Sequence, residues 1–297
     1  VSFLRSNTKV VIKAGGGTRA NHEALRRFAV KCGLPVVLSP VSSGVMMDSH
    51  VQNMHVGGSK GSISGNYAMQ EAEAVIVIGS RGVCQADCSG VGYPNAHSVL
   101  NINGDLDDLA HYANTVALPG DITAVLDQLM SALGDDTGAE KRKEWLRDCA
   151  AKKDEWSELK KARIDASPLD DAVWQKPVLT QPAALHTVSS FANKVGAIKF
   201  FDAGDVQANG FQIVEDDAPG QTFTETGASF MGFAGSALLG AAYVEDAKYG
   251  IAFTGDGSFM MNPQILIDGV EHGVRGMIAL FDNRRMAAIT GLQYDQY

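Results

Sequence analysis

Two side chains frame the chemistry open to this 297-residue sequence. Asp256 stands in Gly255-Asp256-Gly257-Ser258, directly after the apolar run YGIAFT and before a helical pattern. Asn283 closes the next apolar run, RGMIALFDN, 27 residues further on. In a parallel sheet, consecutive strand–helix units bring their strand ends to the same edge, so both side chains would face one crevice. A carboxylate and an amide oxygen are hard ligands suited to Mg²⁺, which fills its remaining octahedral positions with water and phosphate oxygens. Gly257 lets the backbone approach a ligand closely, and N–H groups opening the following helix attract anions. The physical reading is a metal–diphosphate site. Gly-Asp-Gly alone is also a frequent turn. Three features favour the site. The gap fits one strand–helix–strand passage, a second glycine-ended strand, FFDAGD, lies upstream, and a helix of small residues lies between them.

Other candidate groups carry weaker signals. Arg284 and Arg285 would meet an anionic group or form a solvated surface pair, and Gln293 would reach a substrate through its loop. His22 and His272 read as helix residues and His55 as a residue that shapes its loop. The ten methionines, Met260 and Met261 among them, read as core.

The elements that must position these residues follow from periodicity. Residues 9–17, 34–40, 73–81 and 98–104 read as strands; residues 21–33, 64–72 and 121–133 read as helices. A second α/β unit opens near residue 180. It has helices over 182–196, 231–247 and 263–274, and strands over 197–205, 249–259 and 275–283. Strands alternating with helices predict an α/β fold: two doubly wound parallel-sheet domains. The expected division is a nucleotide-binding-like domain over 1–134, a charged helical linker over 135–180 and a diphosphate-binding domain over 181–297. The linker should rest Trp145, Leu146, Trp156 and Leu159 on a neighbour.

Composition narrows the partners. Hydrophobic residues make up 45% and charged residues 20%, as in an ordinary globular protein. The net charge of −9, with no dense basic cluster, argues against nucleic acid. No apolar stretch is long enough for a bilayer, and no secretory signal opens the sequence. Cys32, Cys84, Cys88 and Cys149 read as free thiols in a reducing compartment, and the expected location is cytoplasmic. Cys84 and Cys88 do not have the spacing of common zinc or redox pairs.

With these residues in view, GDGSFMMNPQIL…ALFDN resembles the signature of thiamine-diphosphate (ThDP) dependent enzymes, and in particular their acetohydroxyacid synthase-like branch. The resemblance implies that Asp256, Asn283 and the main-chain carbonyl of Arg285 hold Mg²⁺ on the diphosphate, with Gly257 and Ser258 beside it. TGASFMGFAGSALLGAA resembles the segment whose bulky residue bends the cofactor, which puts Met231 in that place. It puts a carbonyl near Ser229 opposite the pyrimidine amino group. FFDAGDVQANG resembles the loop that touches the diphosphate, giving Gly204, Asp205 and Val206. AGGG (14–17), NMHVGGSKGSISGNYAM, VIVIGSR and VLNINGDLDDL resemble the central domain of the same family. There Gly15, Gly16, Gly57, Gly79, Arg81, Asn103 and Asp121 would line a flavin (FAD) site. Asn103 stands where flavin-binding relatives often carry Asp, and the domain also occurs without flavin, so FAD is left open.

Within the branch, AAITGLQ (287–293) and Asp282, where acetolactate synthases usually carry Asn, resemble the trihydroxycyclohexanedione and cyclohexane-1,2-dione hydrolases. The resemblance implies a homodimer or homotetramer acting on a small carbonyl compound, with Met231, Asn283 and Gln293 nearest the substrate. Three functions follow: hydrolysis of a cyclic 1,2-dione, acetolactate-type carboligation of 2-oxo acids, or an inactive nucleotide-binding paralogue. The intact Asp256/Asn283 pair argues against the third. The family's pyrimidine-binding domain, which supplies an activating Glu, is expected to precede this segment in a longer protein. The segment alone should bind diphosphate poorly and not turn over.

Overall fold

A computed structural model describes residues 1–88, 91–225 and 227–296. The chain forms two compact units, one of residues 1–158 and 215–220, the other of residues 159–214 and 221–297.

The first unit opens with α1 (Ser2–Ser6) and β1 (Val10–Ala14), then α2 (His22–Cys32), β2 (Val36–Leu38), β3 (Asn53–Val56), α3 (Ile63–Glu71) and β4 (Ala74–Ile78). It continues through α4 (Cys84–Asp87), β5 (Ser98–Asn103), β6 (Thr115–Pro119) and α5 (Ile122–Leu133). Its six strands are all parallel, in the order β3-β2-β1-β4-β5-β6. That order is doubly wound, with the reversal between β1 and β4. Helices cover both faces of such a sheet, so its central strands read as continuous apolar runs. Every residue of β1 and β4 is buried. Each large apolar side chain among them contributes about 1.5–3 kcal/mol.

The charged tract folds as α6 (Lys143–Ile164), so a helix stands where the sequence has scattered apolar residues in a polar background. Trp145 and Trp156 are buried and Leu159 is exposed. Trp145 packs with Val11, Val75 and Met69, and its indole N–H donates to the Val10 carbonyl at 3.1 Å. The boundary between the two units falls inside α6, between Glu158 and Leu159.

The second unit adds a short antiparallel hairpin, β7 (Leu169–Asp171) and β8 (Lys176–Val178), before α7 (Gln181–Val195) and β9 (Ile198–Phe201). Then come α8 (Asp205–Ile213), β10 (Thr222–Thr224), α9 (Phe233–Gly240), β11 (Gly250–Gly255) and the single turn α10 (Asp256–Phe259). It closes with α11 (Ile265–Glu271), β12 (Gly276–Phe281) and α12 (Ala287–Gln296). The sheet is again wholly parallel, ordered β10-β9-β11-β12. The chain leaves β9 toward β10 on one side and returns to β11 on the other, so the reversal lies between β9 and β11. Phe200, Ala234, Leu238 and Ala252 fill the space between α9 and this sheet. The small residues of α9 let it sit close to the strands. No described helix is long and apolar enough to cross a membrane.

Candidate functional site

Ligands of doubly wound sheets bind beyond the carboxyl ends of the strands, at the reversal point. In the second unit a cleft opens there. Ala203, Gly204, Asp205 and Val206 from the end of β9 line it, with Gly255 to Ser258 from β11 and Phe281, Asn283 and Arg285 from β12. Met231, Met286, Ala288 and Ile289 complete an apolar wall. Register explains the convergence. Gly255 pairs with Phe281 across β11 and β12, so Asp256 and Asn283 leave adjacent strand ends at nearly the same height.

The donor set suits a hard cation. Asp256 is half-buried, and its carboxylate has no hydrogen-bond or ion-pair partner among the described residues. A half-buried carboxylate without a partner is costly unless a cation joins it. The Asn283 amide oxygen accepts the Arg285 N–H at 3.1 Å, and the Arg285 carbonyl accepts the Ala287 N–H at 3.0 Å. Each oxygen keeps a second lone pair. Asp282 makes the matching turn, accepting the Arg284 N–H at 3.1 Å. These overlapping turns set the loop without a metal. No cluster of three His, Cys, Asp or Glu side chains occurs among the described residues, and one carboxylate with amide and carbonyl oxygens is the set Mg²⁺ takes beside phosphate.

The cleft also suits an anion. α8 and α10 both begin at it, and neither start is capped by a side chain. Free N–H groups at both starts, and the dipole of α8, favour negative charge. Gly204 precedes α8 at φ 79°, ψ −149°, a conformation only glycine adopts without strain. Gly257 leaves room between two methionines: a Cβ there would lie 3.1 Å from Met286 Sδ and 3.4 Å from Met231 Cε. A metal–diphosphate group therefore fits the residues present.

Among the sequence candidates, the structure gathers Gly204, Asp205, Val206, Met231, Asp256, Gly257, Ser258, Asn283 and Arg285 around this cleft. Ser229 lies beside it in the preceding segment, at φ 55°, and does not line it. Residues 287–296 form a helix where a loop was expected, and Gln293 on it is exposed and not among the residues lining the cleft. Arg284 is tied as a fork to Asp171 at 3.2 and 2.5 Å, which holds that carboxyl below its usual range. Met286 and Ile289 were not anticipated from sequence. Their signal was their place in the segment just after the metal loop.

In the first unit the flavin candidates make the following contacts within the fold. A Cβ on Gly15 would meet the Gly79 carbonyl at 2.3 Å and Ser80 Cα at 2.4 Å, so the two strand ends touch through backbone. Gly16 faces Val41, and Gly57 lies under Met69 and Val37. The Asn103 amide donates to the Ser80 carbonyl at 3.1 Å and accepts from the Asp105 N–H at 3.1 Å. Asp121 caps α5, and Arg81 is exposed.

Comparison with known proteins agrees with this geometry. The family profile described as "Thiamine pyrophosphate enzyme, central domain" matches residues 1–129, and that described as "C-terminal TPP binding domain" matches residues 202–297. The chain is 26% identical to the acetolactate synthase isozyme 1 large subunit of Escherichia coli (strain K12) over 295 residues, covering 97% of this chain and 48% of that protein. It is 24% identical to the 3D-(3,5/4)-trihydroxycyclohexane-1,2-dione hydrolase of Lacticaseibacillus casei over 319 residues, covering 100% and 48%. The same enzyme of Shouchella clausii (strain KSM-K16) is 26% identical over 310 residues, covering 98% and 48%. The chain thus spans about half the length of the curated relatives it matches. With two parallel α/β units, each matched by one of the family's domain profiles, the chain belongs to the thiamine pyrophosphate enzymes.

Proposed function

We propose that this chain carries the Mg²⁺–diphosphate half of an enzyme that cleaves a carbon–carbon bond adjacent to a carbonyl, with a cyclic 1,2-dione as substrate and hydrolysis as outcome. The observation that carries this reading is the meeting of Asp256, Asn283, Arg285 and two uncapped helix starts on one cleft. Asp256, the Asn283 amide oxygen and the Arg285 carbonyl would hold Mg²⁺, which acts as an anchor for the diphosphate rather than as a Lewis acid on substrate. The opening N–H groups of α8 and α10 would take the phosphate oxygens. Bound ThDP supplies the electron sink for the broken bond. Met231 and Met286 line the cleft with apolar surface, which excludes water and strengthens the polar contacts beside them.

The dione reading draws on AAITGLQ and Asp282 and on the hydrolases among the relatives. A second reading, carboligation of 2-oxo acids, draws on the E. coli acetolactate synthase at the same level of identity. No role is proposed for a flavin.

Titration calorimetry with ThDP, with and without Mg²⁺, tests the site. In the complete enzyme, wild type should bind ThDP in a Mg²⁺-dependent manner, and Asp256→Ala should lose that binding while melting at nearly the same temperature. Unchanged affinity in Asp256→Ala would overturn the proposal.

A further inference from the structure

The segment between β10 and α9 that carries Met231 has no regular secondary structure, yet carboxylates grip it at both ends. At the near end, Glu225 Oε1 accepts the N–H groups of Gly227 at 2.5 Å and Ala228 at 3.2 Å, and Oε2 accepts that of Phe230 at 3.3 Å. The Ser229 N–H also bonds to this carboxylate. Burial pushes the Glu225 carboxyl up, but these N–H groups outweigh it and hold it below its usual range. Consecutive N–H groups curled around one anion form a nest, and Ser229 supplies its left-handed residue at φ 55°. Gln207 of α8 fixes the same turn from behind by donating to the Glu225 carbonyl at 2.9 Å.

At the far end stands Asp202, fully buried at the end of β9. Its Oδ1 accepts the N–H groups of Gly232 at 2.8 Å and Ala203 at 3.0 Å; its Oδ2 accepts the Thr254 hydroxyl at 2.8 Å. One side chain thus joins the ends of β9 and β11, which flank the cleft, to the residue after Met231. Neither carboxylate lines the cleft.

We propose that Glu225 and Asp202 are positioning residues: they preset the backbone of 227–232 so that Met231 stands over Gly257 before any cofactor arrives. This rests on the reading of the cleft as a ThDP site. Ordering a loop in advance removes that cost from binding. Met231 would meet the organic rings and not the diphosphate, so the clamp should govern affinity for the whole cofactor and leave affinity for its phosphate end alone.

The test pairs two ligands with one ligand-free measurement. Calorimetry on the complete enzyme compares Mg²⁺-ThDP with Mg²⁺-pyrophosphate in wild type, Glu225→Ala, Asp202→Ala and Asp202→Asn. Hydrogen exchange follows the amides of 227–232 without ligand. In Glu225→Ala and Asp202→Ala, ThDP affinity should fall by about tenfold or more, with pyrophosphate affinity within about twofold of wild type. Exchange should quicken at 227–230 in the first and at 232 in the second. Asp202→Asn keeps an oxygen for both N–H groups and should stay near wild type on every measure. Equal loss of both ligands, or exchange unchanged in the alanine variants, overturns the clamp while the ThDP reading stands. If wild type binds neither ligand, that reading falls and the role given to Met231 falls with it.

Discussion

Lys13 lies in the middle of β1, fully buried. Its Nζ donates to the carbonyl of Ala86 at 2.8 Å, with Leu38 and Gly57 carbonyls at 3.3 and 3.4 Å, and lies 3.9 Å from the Asp87 carboxylate. Asp87 in turn accepts the hydroxyls of Tyr93 and Tyr112. Burial pushes the lysine down to about 8 from 10.5, against the pull of Asp87 and Cys88. The folded chain therefore binds fewer protons than the unfolded chain between those values, and stability should rise with pH across that window. Burial and Asp87 push both tyrosines up from 10.0, so their contribution runs the other way above that pH. Urea unfolding at stepped pH should show the rise from about 8 to 10 in wild type and not in Lys13→Met. Identical profiles would contradict this account. In the cleft, Gly257→Ala should melt near wild type, since only the flexible ends of Met231 and Met286 must move. It should weaken Mg²⁺-ThDP binding about tenfold by filling the space between them. Asp256 and Asn283 were legible in the sequence because their spacing matches a strand–helix–strand passage. Glu225 and Asp202 were not, because they act on backbone N–H groups of a segment with no periodicity.

Among the elements, legibility followed length and burial. β1, β4 and β5 are apolar runs bounded by turns, and α2, α5 and α7 carry helical periodicity. β3 escaped because its pairing to β2 is irregular and His55 there sits at φ 62°. β10 is only three residues long, and α8 buries Gln207 and Gly210 among its apolar residues, which breaks its periodicity. α12 was read as a loop because its sequence looked like part of a binding segment rather than a helix. Gly15→Ala should be among the most damaging changes in the first unit, because its Cβ would collide with the Gly79–Ser80 backbone, which has no side-chain freedom to yield. Loss of soluble folded protein, or a large drop in melting temperature, would show it. Asp121 accepts the Ala124 N–H at 2.9 Å, so Asp121→Ala should cost about 1 kcal/mol in denaturant unfolding. A change indistinguishable from zero would mean that the cap does not stabilise α5.

At the scale of the whole molecule the family is plain and the reaction is a matter for products. If the dione reading holds, the complete enzyme should turn a cyclic 1,2-dione into an oxo-acid and give no acetolactate from pyruvate, as chromatography of the two incubations would show. Acetolactate from pyruvate would instead establish the second reading. Both readings use the same Mg²⁺–diphosphate anchor at Asp256, Asn283 and Arg285, which is why the fold leaves them level. The cleft's walls come from segments spread from Gln181 to Ile289 and meet only when β9, β11 and β12 are docked side by side. An ion and a phosphate held there would thus lock together distant stretches of chain. Limited digestion should slow at sites throughout the second unit when both are added, and not merely beside the loops they touch.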